Sequence, residues 1–275
     1  MESAVEGLIT KSQEKYYGKY RGEVVDNLDP EKRGRVRLHI PSVLGSEMES
    51  HWAEPCLPFG GLADQGLFMV PECGAEVWVE FEAGSINHPI WTGTTWRREG
   101  DAPQEAADRS PHMRQLKTPS GQILSFDDTE GEEQIRLFHP SNAELLINAE
   151  GTVQLTDAAG ATLVMNSAGN ASLEISDSNG NSIVCNASGT TVTDANGNQI
   201  IMEGGGINIT SSAAINISGG TVNVGGAGGE PIIKGQSFLS LFATHMHTCT
   251  APGSPSSPPV PQGEMSTLST TCMVK

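Results

Sequence analysis

The chain has 275 residues and a mass of 29.0 kDa, room for one large domain or two modest ones. Its 16 Lys+Arg against 33 Asp+Glu give a formal net charge of -17, a surface that repels phosphate backbones and argues against nucleic acid as a partner. No run of about 18 apolar residues is present to span a bilayer as a helix, and Met1–Glu6 has neither the basic nor the apolar stretch of a signal peptide.

The chain reads as made in the cytoplasm, soluble and all-β. Its five cysteines (Cys56, Cys73, Cys185, Cys249, Cys272) are widely spaced and contain no C-x-x-C, so neither a disulfide framework nor a common zinc ribbon fits. Composition divides the rest. All four tryptophans (Trp52, Trp78, Trp91, Trp96) lie in the first hundred residues. From His139 to Ser237 there is no aromatic residue, from Leu137 to Ile233 no Lys or Arg, and between Pro140 and Pro231 no proline.

After an N-terminal arm (1–15), residues 16–98 read as short strands joined by turns. Arg35–Ile40 and Glu76–Phe81 alternate polar and apolar, as half-buried strands do. Asp29-Pro30 and Gly60-Gly61 supply turns, and Pro41 closes the strand before it. Several short strands with little helical periodicity suggest a small closed barrel. Residues 99–118 read as a linker.

The region 119–230 repeats. Turn-like glycines fall at Gly151, Gly160, Gly169, Gly180, Gly189, Gly197 and Gly206, and an Asp-x-x-Gly element recurs at Asp157, Asp177 and Asp194. Short alternating runs separate them, among them Val153–Leu155, Leu163–Met165, Leu173–Ile175, Ile183–Cys185, Ile200–Met202, Ile207–Ile209, Ile215–Ile217 and Val222–Val224. One strand and one turn fit each repeat. A single copy offers too few aliphatic side chains to offset its ordering entropy. Three copies wound about one axis would point aliphatics inward, Asn, Ser and Thr outward, and would cover every strand edge. A trimeric β-helix is the expectation, with a monomeric β-solenoid the alternative.

These residues resemble a known family. Tyr20–Glu31 followed by Gly34–Arg37, then Trp52-Ala53, Pro58–Gly61, Gly66–Val77 and His88–Gly93, look in order like the OB domain of contractile-tail spike proteins. Thr118–Thr129 resembles the opening of that family's needle. Relatives include phage baseplate central spikes, the VgrG proteins of type VI secretion and the spikes of extracellular contractile injection particles. The resemblance implies an N-terminal OB-fold barrel, an intertwined trimeric β-helix needle and a short tip (231–275). It also implies a homotrimer that docks on a baseplate hub protein and pierces the target cell envelope, within a virion or particle baseplate assembled in the cytoplasm. No lysozyme-like insert fits between the domains and no hub domain precedes the OB domain, which ranks phage and injection-particle readings above type VI secretion. The rival reading is a trimeric β-helical receptor-binding fibre or adhesin.

Candidate chemistry is sparse. Lys32, Arg33, Arg35 and Arg37 form a basic cluster, either an electrostatic dock for an acidic hub or a solvated strand edge. Trp78, Trp91 and Trp96 fit core packing better than ligand stacking. Asp127-Asp128 and Glu132-Glu133 are adjacent residues that point to opposite faces of a strand, so neither pair converges on a substrate. Turn capping suits Asp127–Gly131 better. With no nucleophile elbow, no catalytic residue is assigned and no enzyme activity is expected. His245-Met246-His247 follows the apolar run Phe238–Phe242, and residues i and i+2 of an extended chain share a face. Three copies would bring six imidazoles to one axis, enough for an octahedral ion. The resemblance makes that ion iron, with zinc the alternative because Cys249 shares the face. About 28 residues follow His247, so a separate tip-capping protein belongs among the expected partners.

Overall fold

A computed structural model describes residues 15–224, 230–245, 252–253 and 268–274. The chain divides into two compact units, Met1–Ala149 and Glu150–Lys275. Both are built mainly from strands.

In the first unit, strands β1 (Tyr20–Asp26), β2 (Arg37–His39), β3 (Glu54–Pro55), β4 (Glu76–Phe81) and β5 (Pro89–Thr94) form a sheet of order β2-β1-β4-β5-β3. Helix α1 (Pro41–Leu44) follows β2, its first-turn proline costing no helical hydrogen bond. The alternation seen in the sequence of β4 is the alternation of burial: Val77, Val79 and Phe81 point inward. They meet Val24, Val36, Leu38, Ile40, Ala53 and Trp91 in one core. Trp91 satisfies its buried indole N–H by donating to the Gly34 carbonyl, 3.2 Å away. Tyr16, Tyr20 and Phe81 close one side of the core edge-on, with centroids 5.6–6.2 Å apart. The sheet thus owns its core.

The turn after β1 is held by one carboxylate. Asp29 accepts the backbone amides of Glu31, Arg33 and Arg35 and also the Arg35 guanidinium, whose Nη2 lies 2.7 Å away. The Arg35 side chain, with the three amides, holds the Asp29 carboxyl far below the usual carboxylate range.

Helix α2 (Gln104–Asp108) leads into four antiparallel strands: β6 (Met113–Lys117), β7 (Ile123–Asp127), β8 (Gln134–His139) and β9 (Ala143–Ile147). Strand β6 lies inside the stretch read from sequence as linker. Its run Met-Arg-Gln-Leu-Lys carries only two apolar residues, which hides the alternation. On β7, Ile123, Ser125 and Asp127 are buried, while Leu124 and Phe126 stay exposed. Asp127 accepts the Thr129 hydroxyl and amide, and the Arg109 Nε lies 2.8 Å from its other oxygen. Those contacts, led by the Thr129 hydroxyl, hold its carboxyl below the ordinary range despite burial.

The second unit contains seven antiparallel strands in a meander: β10 (Val153–Thr156), β11 (Thr162–Asn166), β12 (Ser172–Ser176), β13 (Ser182–Asn186), β14 (Gly189–Thr193), β15 (Gln199–Glu203) and β16 (Gly206–Thr210). Beyond them lie β17 (Val222–Asn223), β18 (Glu230–Ile233), helix α3 (Gly235–Thr244) and β19 (Leu268–Val274), which pairs with both β17 and β18.

The seven repeat glycines all adopt positive φ. Gly189 carries the strictest demand. A Cβ there would sit 1.9 Å from the Met202 carbonyl oxygen, so only glycine lets β14 approach β15. The Asp-x-x-Gly turns share one geometry. Asp157 accepts amides two and four residues on, from Ala159 and Ala161. Asp177 accepts those of Asn179 and Asn181, and Asp194 those of Asn196 and Asn198. Successive turns on this edge are also joined. The Asn181 side chain accepts the Ala195 amide, and the Asn198 side chain accepts the Ser211 hydroxyl.

The strands depart from expectation at two places. Residues 189–193 form β14, although Thr190 and Val192 give that rung a single aliphatic. Ile215–Ile217 alternates but forms no strand. Alternation tells which face a strand would show, and a strand still needs a neighbour in register.

Candidate functional site

The register of β10–β16 sorts side chains without ambiguity, because directly paired residues share a face. One column on the first face runs Leu155, Leu163, Ile175, Ile183, Val192, Ile200, Ile209; beside it runs Val153, Met165, Leu173, Cys185, Thr190, Met202, Ile207. Every member but Thr190 is apolar. The opposite face carries Thr156, Thr162, Ser176, Ser182, Thr193, Gln199 and Thr210 in one column, with only Val164, Val184 and Ile201 as aliphatics in the other.

Burial is inverted relative to a water-soluble sheet. On the apolar face Ile175 is 44% exposed and Ile209 54%, while Ser176 and Ser182 on the polar face are half-buried. The first column lines an open groove of about 880 Å³, edged by Asp157, Asp177, Asp194, Asn181 and Asn198 of the turn ladder. Such a stripe exceeds the scattered apolar exposure of a monomer and marks an interaction surface. Covering the open part of an Ile such as Ile200, 40% exposed, is worth on the order of 1–2 kcal/mol. Seven rungs therefore carry a substantial association energy. The meander β6–β9 repeats the arrangement, with Phe126, Ile135, Leu124 and Leu137 exposed on one face.

Two carboxylates of the turn ladder that frames this face are stabilised as anions. Asn181 first, then backbone amides, hold the Asp177 carboxyl far below its usual range, and Asn198 does the same for Asp194 to a smaller degree.

The residues singled out from sequence separate. Within the basic cluster, Arg35 is buried against Asp29, Arg33 pairs with Glu31 and Glu54, and Arg37 pairs with Glu49 at 3.0 Å. Much of its charge is thus neutralised within the fold, which weakens an electrostatic dock. Trp91 is core, Trp78 lies under the Arg21 guanidinium at 4.6 Å, and Trp96 is 67% exposed. The core expectation therefore fails for Trp96, which lies two residues past the end of β5. Asp127 caps its turn as expected. His245 is the C-cap of α3, and its Nδ1 bonds the Phe242 carbonyl. That contact suits a ligating imidazole, because fixing Nδ1 directs Nε2 outward as the ligand atom. His247 and Cys249 lie outside the described residues. Among the described residues, no three His, Cys, Asp or Glu side chains cluster to hold a metal.

Sequence reasoning found the aliphatics but not their two columns, because β14 was missing from the register. The eight-residue step from Gly189 to Gly197 was the signal that a strand was compressed there.

The first unit has a clear counterpart among known proteins. Residues 20–96 match the type VI secretion system/phage-baseplate injector OB domain. Over these residues the chain resembles VgrG-like baseplate/spike proteins. The actin cross-linking toxin VgrG1 of Vibrio cholerae serotype O1 (classical Ogawa O395) is 30% identical over 132 residues, 46% of this chain and 12% of the relative. The type VI secretion system spike protein VgrG3 of Vibrio cholerae serotype O1 (El Tor Inaba N16961) is 32% identical over 126 residues, 43% of this chain and 12% of the relative. The matches thus span about an eighth of those proteins. The SAS-4 (dCPAP) TCP domain of Drosophila melanogaster, solved with a proline-rich motif of Ana2, covers 44% of this chain and 97% of its own. Its sequence identity is 13% and the TM-score 0.22.

Proposed function

We propose that this chain is the homotrimeric central spike of a contractile injection machine, of phage or phage-tail-like particle type. Its OB domain docks on the baseplate hub and its needle is driven through the target cell envelope. The apolar ladder of β10–β16 carries the reading. A sheet with exposed aliphatics on one face and hydroxyls on the other fits two further copies of itself, which bury the aliphatics about one axis and leave the hydroxyls to water. The injector OB domain and the VgrG-type relatives support the place of that trimer at a baseplate. The task is mechanical: a covered ladder transmits thrust through backbone hydrogen bonds and close packing, with no bond made or broken. At the tip, His245 and His247 of three copies are the residues that would hold an iron ion, zinc being the alternative. Such an ion would cross-link the copies where aliphatics are few.

Particles assembled with Ile183→Asp in this chain test the reading. They are expected to contract without permeabilising target cells that wild-type particles permeabilise. Equal permeabilisation by both, or wild-type chain located away from the baseplate tip in electron micrographs, would contradict it.

A further inference from the structure

Helix α3 carries no charged residue from Gly235 to Thr244, in a chain of net charge -17. Phe238, Leu241 and Phe242 stand at i, i+3 and i+4, and His245 follows at i+7, so the four share one stripe. The Phe238 and Phe242 rings stack with centroids 6.0 Å apart, and the His245 ring lies 5.1 Å from Phe242. Phe242 nevertheless remains 63% exposed. A ten-residue helix is marginal in water on its own propensity, and its stability must come from whatever covers that stripe.

We propose that α3 is a second, helical contact of the trimer: three copies pack side by side, Phe238 and Leu241 forming successive inward layers, Phe242 flanking them and His245 forming the next layer. The inference rests on the trimeric reading above and adds to it a helical collar that follows the β-needle. The spacing of three, four and seven residues is the seam of a helical bundle. Charge selects the occupant. Between Leu137 and Ile233 every charged residue is acidic, so copies repel along that stretch, whereas α3 brings them together with no like-charge cost. Helix α3 also lies C-terminal to β10–β16 in the same chain. A lipid surface fits less well. Helices that lie in membrane interfaces carry Lys or Arg on their polar face, and the polar residues of α3 are Gln236, Ser237, Ser240 and Thr244.

The collar can be tested in the full-length protein with p-benzoyl-phenylalanine in place of Phe238 or, separately, Leu239, which lies off the stripe. After irradiation, the label at 238 is expected to give two- and three-chain bands on denaturing gels, and the label at 239 none. A 29.0 kDa particle in solution would remove the trimeric reading beneath the proposal. A trimer in which the 238 label joins no second chain, or joins lipid when anionic vesicles are added, would overturn the collar alone. A second measurement guards against a label that disturbs folding. Leu241→Asp is expected to speed amide exchange in α3 by about tenfold or more while β10–β16 exchange as in wild type. Unchanged exchange in α3 would overturn the collar as well.

Discussion

The OB sheet and the repeat sheet obey the same alternation and reach opposite outcomes. In β4, every second side chain disappears into a core the domain builds for itself, with Val77 and Val79 fully covered. In β10–β16, every second side chain forms an aliphatic ladder that the chain leaves open. The difference lies in what the intervening sequence supplies. The OB region brings Trp91, Phe81 and Tyr20 from separate strands to fill one volume. From β10 to β16 the turns are short and no Phe, Trp or Tyr is present, and among the described residues none folds back over the ladder. The first sheet is stable by closure; in the proposed trimer the second is stable by association.

The largest expected effect comes from charging the ladder. Ile183→Asp, a central rung, would place three carboxylates on one axis of the proposed trimer. It should abolish trimers in sizing experiments while leaving the near-ultraviolet circular dichroism of the OB tryptophans unchanged. Leu38→Ala should do the reverse. Its side chain is fully buried in the OB core, so it should cost about 2–5 kcal/mol in OB stability, read by denaturant melts of Trp91 emission, with the trimer mass retained.

Gly189→Ala comes next, because its Cβ would collide with the Met202 carbonyl. Amide exchange should rise in β14 and β15 and stay low in β10–β12. Removal of metal is a smaller test: replacing His245 and His247 by Ala should abolish metal content measured on purified trimer, and equal content in both proteins would give the pair another role.

Acid should loosen the turn ladder. The carboxyls of Asp177 and Asp194 are held below the ordinary value, so their stabilisation is present above the unfolded pKa near 4. It is lost as pH falls from there through the folded value. Asp177→Asn should shift the onset of melting at pH 7 by a few degrees and flatten its acid dependence. The smallest effect is that of salt. Raising ionic strength should modestly stabilise the proposed trimer, because it screens repulsion among copies that carry no Lys or Arg from Leu137 to Ile233.

Much of this was legible in the residues. Glu76–Phe81 announced β4 to the residue, because a half-buried strand with large side chains alternates unmistakably. The turn glycines and the Asp-x-x-Gly elements marked the repeat, since positive φ and amide-accepting carboxylates are local demands. What escaped was non-local. Arg35 looked like surface charge, and its burial depends on Asp29 six residues earlier folding back to meet it. Trp96 looked like core, although strand β5 ends before it. Strand β14 was hidden because its pairing comes from Gly189 and its neighbours, whereas its own rung offers Thr190 and Val192. His245 was visible as a candidate ligand, but its bond to the Phe242 carbonyl depends on a helix that the four apolar residues of Phe238–Phe242 did not specify.

Light scattering on the full-length protein at neutral pH, paired with exchange at the amides of β10–β16, measures association of the ladder most directly. The account predicts a single species of about 87 kDa, three times the 29.0 kDa chain, with central-strand amides opening only when the trimer dissociates. A folded 29.0 kDa species whose β12 and β13 amides are equally protected would contradict it, because the ladder would then be stable uncovered.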